Sequence, residues 1–258
     1  MDFSFDNHRQ AEVLKADKSI MYYNGRKYYY KPNRHNIELV IEIIAKRLNI
    51  KTANYTSHNI MGVPYYFSED LNLKGEFITA EKLGLEGECL PEAFDLFNKK
   101  YPEYFNSLSH DLTKVYIMDI ILMNPDRNNE NWGIITTNNI PRICILDNEL
   151  SFSLPAISLS SKRKEPYYIR KYFEDVSFSE DAYSDIKYFL ENYSYHSIAT
   201  FKVLLGMLTP EYIISLFDYV EKEYEVRIKD RDLFIKKYKE HYHRLQEILK
   251  EQTLGRKK

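Results

Sequence analysis

The stretch Asn124-Pro125-Asp126-Arg127-Asn128-Asn129-Glu130-Asn131, followed by Ile143-Cys144-Ile145-Leu146-Asp147-Asn148, decides how this chain is read. An Asp, four residues and an Asn leave the end of an apolar tract, Val115 to Met123, and a short apolar run then delivers a second Asp. In phosphoryl transfer a carboxylate orients the attacking hydroxyl, while an amide and a further carboxylate hold magnesium against nucleotide phosphates. Asp126 has the place of the first carboxylate; Asn131 and Asp147 have the places of the metal ligands. A loop Asp, a loop Asn or a strand-end Asp is commonplace taken singly. Their joint spacing makes the chain a candidate kinase.

Outward from that stretch, the first third reads as strands around one helix. Ser19 to Tyr23 and Lys27 to Lys31 flank Asn24-Gly25-Arg26, a strong hairpin signal. Apolar residues at Ile37, Val40, Ile41, Ile44, Ala45 and Leu48 form a helical stripe. Further strands are expected over Asn54 to Ile60, Val63 to Phe67 and Glu76 to Ala80, completing a small α+β lobe. Lys31 closes an apolar strand shortly before a helix carrying Glu38 and Glu42, which suits a lysine that contacts phosphates and a glutamate that positions it. Glu38, in the first turn, also favours the helix dipole.

From Pro91 onward the periodicity is helical. Helices are expected over Pro91 to Lys99, Ser109 to Met123, Glu180 to Asn192, Ser197 to Met207, Thr209 to Val226 and Asp230 to Lys250. Thr209-Pro210-Glu211 is a strong start signal, with a capping hydroxyl, a first-turn proline and an acid. Phe234, Tyr238, His241, Leu245 and Ile248 share one face of the last helix, which predicts a packed C-terminal helix. Asp119 interrupts an apolar helix, so its carboxylate needs a partner; buttressing the loop at 124–131 is the expected role. Residues 154–168 read as a surface loop.

Composition bounds the remainder. With 258 residues, 44% hydrophobic and 29% charged, the chain can form one large domain or two lobes. A net charge of −2 provides no global pull toward nucleic acid or acidic membranes. Lys162-Arg163-Lys164 and Arg256-Lys257-Lys258 are short basic clusters of the kind found in solvated loops and tails. The two cysteines, Cys89 and Cys144, make no disulfide framework, and Cys144 reads as a small core residue. His35, His58, His110 and His196 share no metal-type spacing. The opening residues lack a signal-peptide pattern, and Val115 to Met123 is too short to span a bilayer. A cytoplasmic protein is the expectation. The 23 tyrosines have no assigned role beyond packing.

The segments MDIILMNPDRNNENWGII and ICILDNELSF resemble the catalytic core of HipA-like kinases, with their Asp-Arg-His-x-x-Asn loop and Asp-Asn-Gly-type metal motif. The earlier YYYKP, IELVIEIIAKRLNI and VPYYFSEDL resemble that family's nucleotide lobe, so the likeness touches about residues 20–153. It implies a two-lobed protein-kinase-like fold of the α+β class. Residues 1–84 would form a β-rich N-lobe with one helix, and residues 85–258 a mostly helical C-lobe. It implies ATP and Mg2+ as cofactors, Asp126 as the catalytic residue, Asn131 and Asp147 as metal ligands, Lys31 as the phosphate-binding lysine and Glu38 as its partner. The implied activity is phosphorylation of protein Ser/Thr. Several bacterial members are toxins of toxin–antitoxin pairs, and some act on translation components. That predicts a protein substrate, a small antitoxin or regulatory partner, and no direct nucleic-acid or membrane contact.

Three features depart from the pattern. Asn128 stands for the loop His, Glu149 stands for the Gly of the metal motif, and Val13 to Ser19 holds no glycine where a phosphate loop is expected. The chain is also shorter than full-length toxins. Two other readings keep the same residues: a kinase for a small molecule or lipid, and a pseudokinase acting by binding. ATP would lie near a hinge at Thr79 to Gly84. Ser158, Ser160 and Ser161, after Asp147, are candidate phosphosites.

Overall fold

The computed structural model describes residues 12–15, 18–23, 25–32, 36–60, 63–86, 90–124, 126–152, 183, 186–187 and 195–255. Its first sheet has five antiparallel strands in the order β1-β2-β3-β6-β5: β1 is Glu12–Lys15, β2 Lys18–Tyr23, β3 Arg26–Pro32, β5 Tyr55–Ile60 and β6 Val63–Glu69. The Asn-Gly signal is where the β2–β3 hairpin turns: Tyr23 pairs with Arg26, and Gly25 has a φ of 73°, which costs a glycine nothing. The glycine-free stretch from Val13 to Ser19 enters a hairpin as well, with Val13 opposite Ser19 and Lys15 opposite Lys18.

The second sheet runs β4-β9-β8-β7, with β4 at Lys51–Thr52, β7 at Glu76–Thr79, β8 at Trp132–Thr137 and β9 at Ile140–Ile145. β4 lies parallel to β9; the other pairs are antiparallel. Here the structure corrects the grouping of strands. Glu76 to Thr79 pairs with β8, not with the strands of the first sheet. Its Phe77 and Ile78 lie opposite Ile135 and Ile134, an apolar match that local periodicity does not reveal. Gly133 permits the close approach, since a Cβ there would sit 2.2 Å from the Ile78 carbonyl oxygen. The short β4 has no signal in the sequence reading.

Helix α1, Ile37–Arg47, buries the whole predicted stripe and also Glu38 and Glu42, two acids the stripe does not include. Glu42 is satisfied by the Thr52 hydroxyl and Lys46. The remaining helices are α2 (Leu90–Lys100), α3 (Phe105–Ile121), α4 (Tyr195–Met207), α5 (Pro210–Glu223) and α6 (Arg231–Gly255). Thr209 caps α5 as expected, accepting from the Tyr212 amide. One continuous core runs from α1 through α3 to α6. Cys144 is fully buried within β9, and burial pushes its thiol up to about 12, so it behaves as a small apolar residue. Cys89, the loop at 154–168, Ser158, Ser160 and Ser161 lie outside the described residues, as does most of the helix expected over Glu180 to Asn192. No single described helix is long and apolar enough to cross a membrane.

The last helix packs by its predicted face: Phe234, Tyr238, His241, Leu245 and Ile248 are all buried. Its polar tips terminate other helices. Tyr238 and Tyr242 donate to the Leu208 and Leu205 carbonyls at the end of α4, and His241 Nε2 donates to the Ile120 carbonyl at 2.9 Å near the end of α3. The Leu205 and Leu208 carbonyls lie at a terminus where a helix runs out of its own donors, and the Ile120 carbonyl has besides, among the described residues, only the long Met123 amide contact of 3.4 Å. Tyr183 faces the other ring nitrogen of His241 at 2.9 Å.

Burial pushes the His241 pKa from 6.5 down to about 4. Between those values the unfolded chain takes up a proton that the folded chain refuses, so stability falls as pH drops from 6.5 toward 4. The loss at the acid end is about 3 kcal/mol. Urea unfolding at pH 7 and pH 4.5 checks this: His241→Gln is expected to be less stable at pH 7 and to lose about 2 kcal/mol less than the native chain on acidification. Equal acid losses in both proteins would contradict it.

Candidate active site

Three elements meet at one ammonium group. β3 ends by presenting Lys31, whose Nζ lies 2.9 Å from Glu38 Oε1 in the first turn of α1 and 2.7 Å from Asp147 Oδ1 just beyond β9. Asp147 adopts a left-handed φ of 48°, a conformation that Asp tolerates better than most residues, and this turns the chain at the strand end. Glu149, two residues on, places Oε2 3.4 Å from the same Nζ. Glu38 has no exposed surface and is held besides by the Asn148 backbone amide at 2.9 Å and the Asn148 side-chain amide at 3.4 Å. The Tyr55 hydroxyl accepts from the Asp147 amide at 3.2 Å, and that of Tyr66 accepts from the Glu38 amide at 3.2 Å.

The electrostatics follow from this crowding. Burial opposes the charge on Lys31, but the surrounding Glu38, Asp147 and Glu149 carboxylates outweigh it and hold the ammonium above the ordinary lysine value. Complete burial pushes Glu38 up, and Lys31 and the Asn148 amide pull it back. A buried acid of this kind requires a charged partner, and Lys31 supplies one.

The loop after α3 is organised from beneath. Asp119 is buried, and Arg127 grips it with two hydrogen bonds, Nε to Oδ2 at 2.9 Å and Nη2 to Oδ1 at 3.1 Å. The same guanidinium donates to the carbonyls of Asn131 and Leu146, both at 2.8 Å, and to Asn148 Oδ1. One buried cation thus fixes the loop at 124–131 and the strand end at 146–148 to each other. Asn124 Nδ2 donates to Asp119 at 3.0 Å, and its Oδ1 receives the Asp126 amide at 3.1 Å. Asp119 therefore buttresses the loop, as expected. Asn128, in the place of the family's His, accepts from the Glu130 amide and shapes the turn.

Asp126 and Asn131 are joined directly. Asn131 Nδ2 donates to the Asp126 carbonyl at 2.7 Å and to its Oδ2 at 3.1 Å. Two acceptors there require the amide nitrogen, which leaves Oδ1 as the free end of the group. A hard cation takes such an oxygen together with a carboxylate, and magnesium needs few protein ligands when phosphates supply others. Asn131 Oδ1 and the Asp147 carboxylate fit that requirement. Among the described residues no group of three or more His, Cys, Asp or Glu side chains could hold a metal ion without such help.

A cavity of about 320 Å³ opens between the two sheets and is lined by Lys31, Tyr55, Thr79, Lys82, Asn131 and Asp147 among others. Three of the five predicted site residues therefore line one space. Glu38 lies behind Lys31, and Asp126 is bound to Asn131. The turn at 80–85 is tied to the loop, for the Glu81 amide donates to the Asn129 carbonyl and Asn129 Nδ2 to the Leu85 carbonyl.

The Helicobacter pylori proinflammatory kinase CtkA superposes with a TM-score of 0.59 at 16% identity, covering 89% of this chain and 90% of that one. HipA of the Shewanella oneidensis MR-1 toxin–antitoxin system, solved with HipB and operator DNA, gives a TM-score of 0.58 at 12% identity, covering 93% of this chain and 66% of that one. The chain has a HipA-like kinase fold. No family model and no curated protein sequence matches it.

Within this HipA-like fold, sequence reasoning missed five contributors. Arg127 is the partner that the apolar-helix Asp119 demanded, and its place in the loop was the available signal. Tyr55, Tyr66 and Asn148 carried none, because their role is to face Glu38 and Asp147 across long chain separations. Glu149 stood out only as a departure from the motif.

Proposed function

We propose that the chain is a Mg2+- and ATP-dependent kinase that phosphorylates Ser/Thr hydroxyls of a protein. The observation that carries this reading is the single cavity in which Lys31, Asn131 and Asp147 converge, with Asp126 bonded to Asn131 behind it. Lys31 would draw the nucleotide phosphates, and Glu38 orients Lys31. Asn131 and Asp147 would hold the metal, which when bound supplies positive charge to the phosphates. Asp126 would orient the acceptor hydroxyl and take its proton. The base would lie toward Thr79 and Lys82, with residues 1–84 as the nucleotide half and 85–258 as the catalytic and acceptor half.

A protein acceptor is favoured by the motif resemblance to HipA-like kinases. The same resemblance suggests the toxin of a toxin–antitoxin pair, acting in the cytoplasm on a translation component and restrained by a small partner protein. A pseudokinase is the second reading, favoured by the glycine-free β1–β2 hairpin and by the closed ring of carboxylates around Lys31.

Titration calorimetry with Mg2+ and a non-hydrolysable ATP analogue tests the nucleotide site. Loss of a charge-assisted contact should make Lys31→Met bind roughly ten- to a hundredfold more weakly than the native chain. Equal affinities would remove Lys31 from the site.

A further inference from the structure

Glu149 stands where the HipA-like motif has glycine, and its carboxylate is the least supported of the three around Lys31. Lys31 spends two hydrogen bonds on Glu38 and Asp147, at 2.9 and 2.7 Å, and holds Glu149 at the longer 3.4 Å. Glu38 cannot leave, being fully buried and bound twice more by Asn148. Asp147 remains near the cavity as a metal ligand. Glu149 Oε1 is buried with no hydrogen-bond partner, and an unpaired buried carboxylate oxygen is costly. Its side chain keeps 17% of its surface exposed, so a path to water is open.

A phosphate that reaches Lys31 has to displace one carboxylate, and these contacts single out which. Resting on the nucleotide reading above, we propose that Glu149 is a positioning residue that competes with nucleotide phosphate for Lys31, making the site select the cation-bound nucleotide over the free polyphosphate. One ammonium among three carboxylates leaves the cluster with two excess negative charges. Free ATP carries more negative charge than its magnesium complex and meets the stronger opposition. When phosphate takes the third position on Lys31, Glu149 swings to solvent and its orphaned oxygen is hydrated.

The test is calorimetric affinity for the non-hydrolysable ATP analogue, measured in chelator and in Mg2+, for the native chain, Glu149→Gln and Glu149→Asp. The Asp variant keeps the charge but is one methylene shorter and withdraws from Lys31. Glu149→Gln removes both contact and charge and is expected to bind the metal-free analogue roughly tenfold more tightly, with a smaller gain in Mg2+, so that the preference for the metal complex narrows; Glu149→Asp removes the contact alone and is expected to tighten both forms alike. Because two variants are used, one that fails to fold leaves the other to be read. A Glu149→Asp affinity equal to native beside a tighter Glu149→Gln would show simple charge repulsion and overturn competition for Lys31. If neither variant tightens while Lys31→Met still weakens binding, the inference falls and the nucleotide site stands. Absence of binding in the native chain and every variant would overturn both.

Discussion

Replacing Asp126 with Asn is expected to lower phosphoryl transfer by roughly a hundred- to ten-thousandfold, the range for loss of a general base. Nucleotide affinity should change by less than about twofold, because charge-assisted contacts to phosphate come from elsewhere. The geometry supports this split. Asp126 is absent from the cavity lining that includes Lys31 and Asp147, and an Asn oxygen can still accept from Asn131 Nδ2. Single-turnover transfer and titration calorimetry on the same preparation separate the two effects. A variant that transfers phosphate within about threefold of native would remove Asp126 from the chemistry.

Arg127→Met is expected to have the largest effect on stability, a loss of about 3–5 kcal/mol. The substitution leaves Asp119 charged and buried with only Asn124 to meet it, and strips donors from the Asn131 and Leu146 carbonyls. Adding Asp119→Leu removes the stranded charge, so the double variant should recover part of the loss. The Leu146 carbonyl and Asn148 Oδ1 still lack the Arg127 donor, although the Asn131 carbonyl keeps the Leu146 amide at 2.8 Å, and this prevents full recovery. Urea unfolding of the single and double variants reads both. A single variant within about 1 kcal/mol of native would contradict the buried-cation role.

The parts of the fold that were legible are those written in short-range pattern. Asn24-Gly25 specifies a hairpin because few residues accept its backbone angles, and the stripe from Ile37 to Leu48 specifies a helix because burial repeats at its period. Thr209 and Pro210 mark a helix start through local hydrogen bonding and a fixed φ. The juxtaposition of Asp126 and Asn131 was legible because a loop of fixed length carries both on one turn.

What was not legible depends on partners far away in the chain. β7 could have joined either sheet on its own composition, and Gly133 and Ile134 in β8 decide the matter. Glu42 sits on the buried side of α1 because Thr52, ten residues on, offers a hydroxyl. The tyrosines of α6 acquire their role only when α4 ends beside them. Arg127 could be read as a loop cation, but its five donors reach Leu146 and Asn148 in another element besides the nearby Asp119 and Asn131.

The most direct measurement is transfer of radiolabelled γ-phosphate from Mg-ATP, offering cell lysate and the protein itself as acceptors, for the native chain beside Asp147→Asn. Label in protein that disappears in the variant is the predicted result, since Asp147 is the carboxylate that meets Lys31 and that, in the proposed reading, would hold the metal. A native chain that neither labels any protein nor binds the nucleotide, or label that persists undiminished in Asp147→Asn, would contradict the assignment of this cavity to phosphoryl transfer.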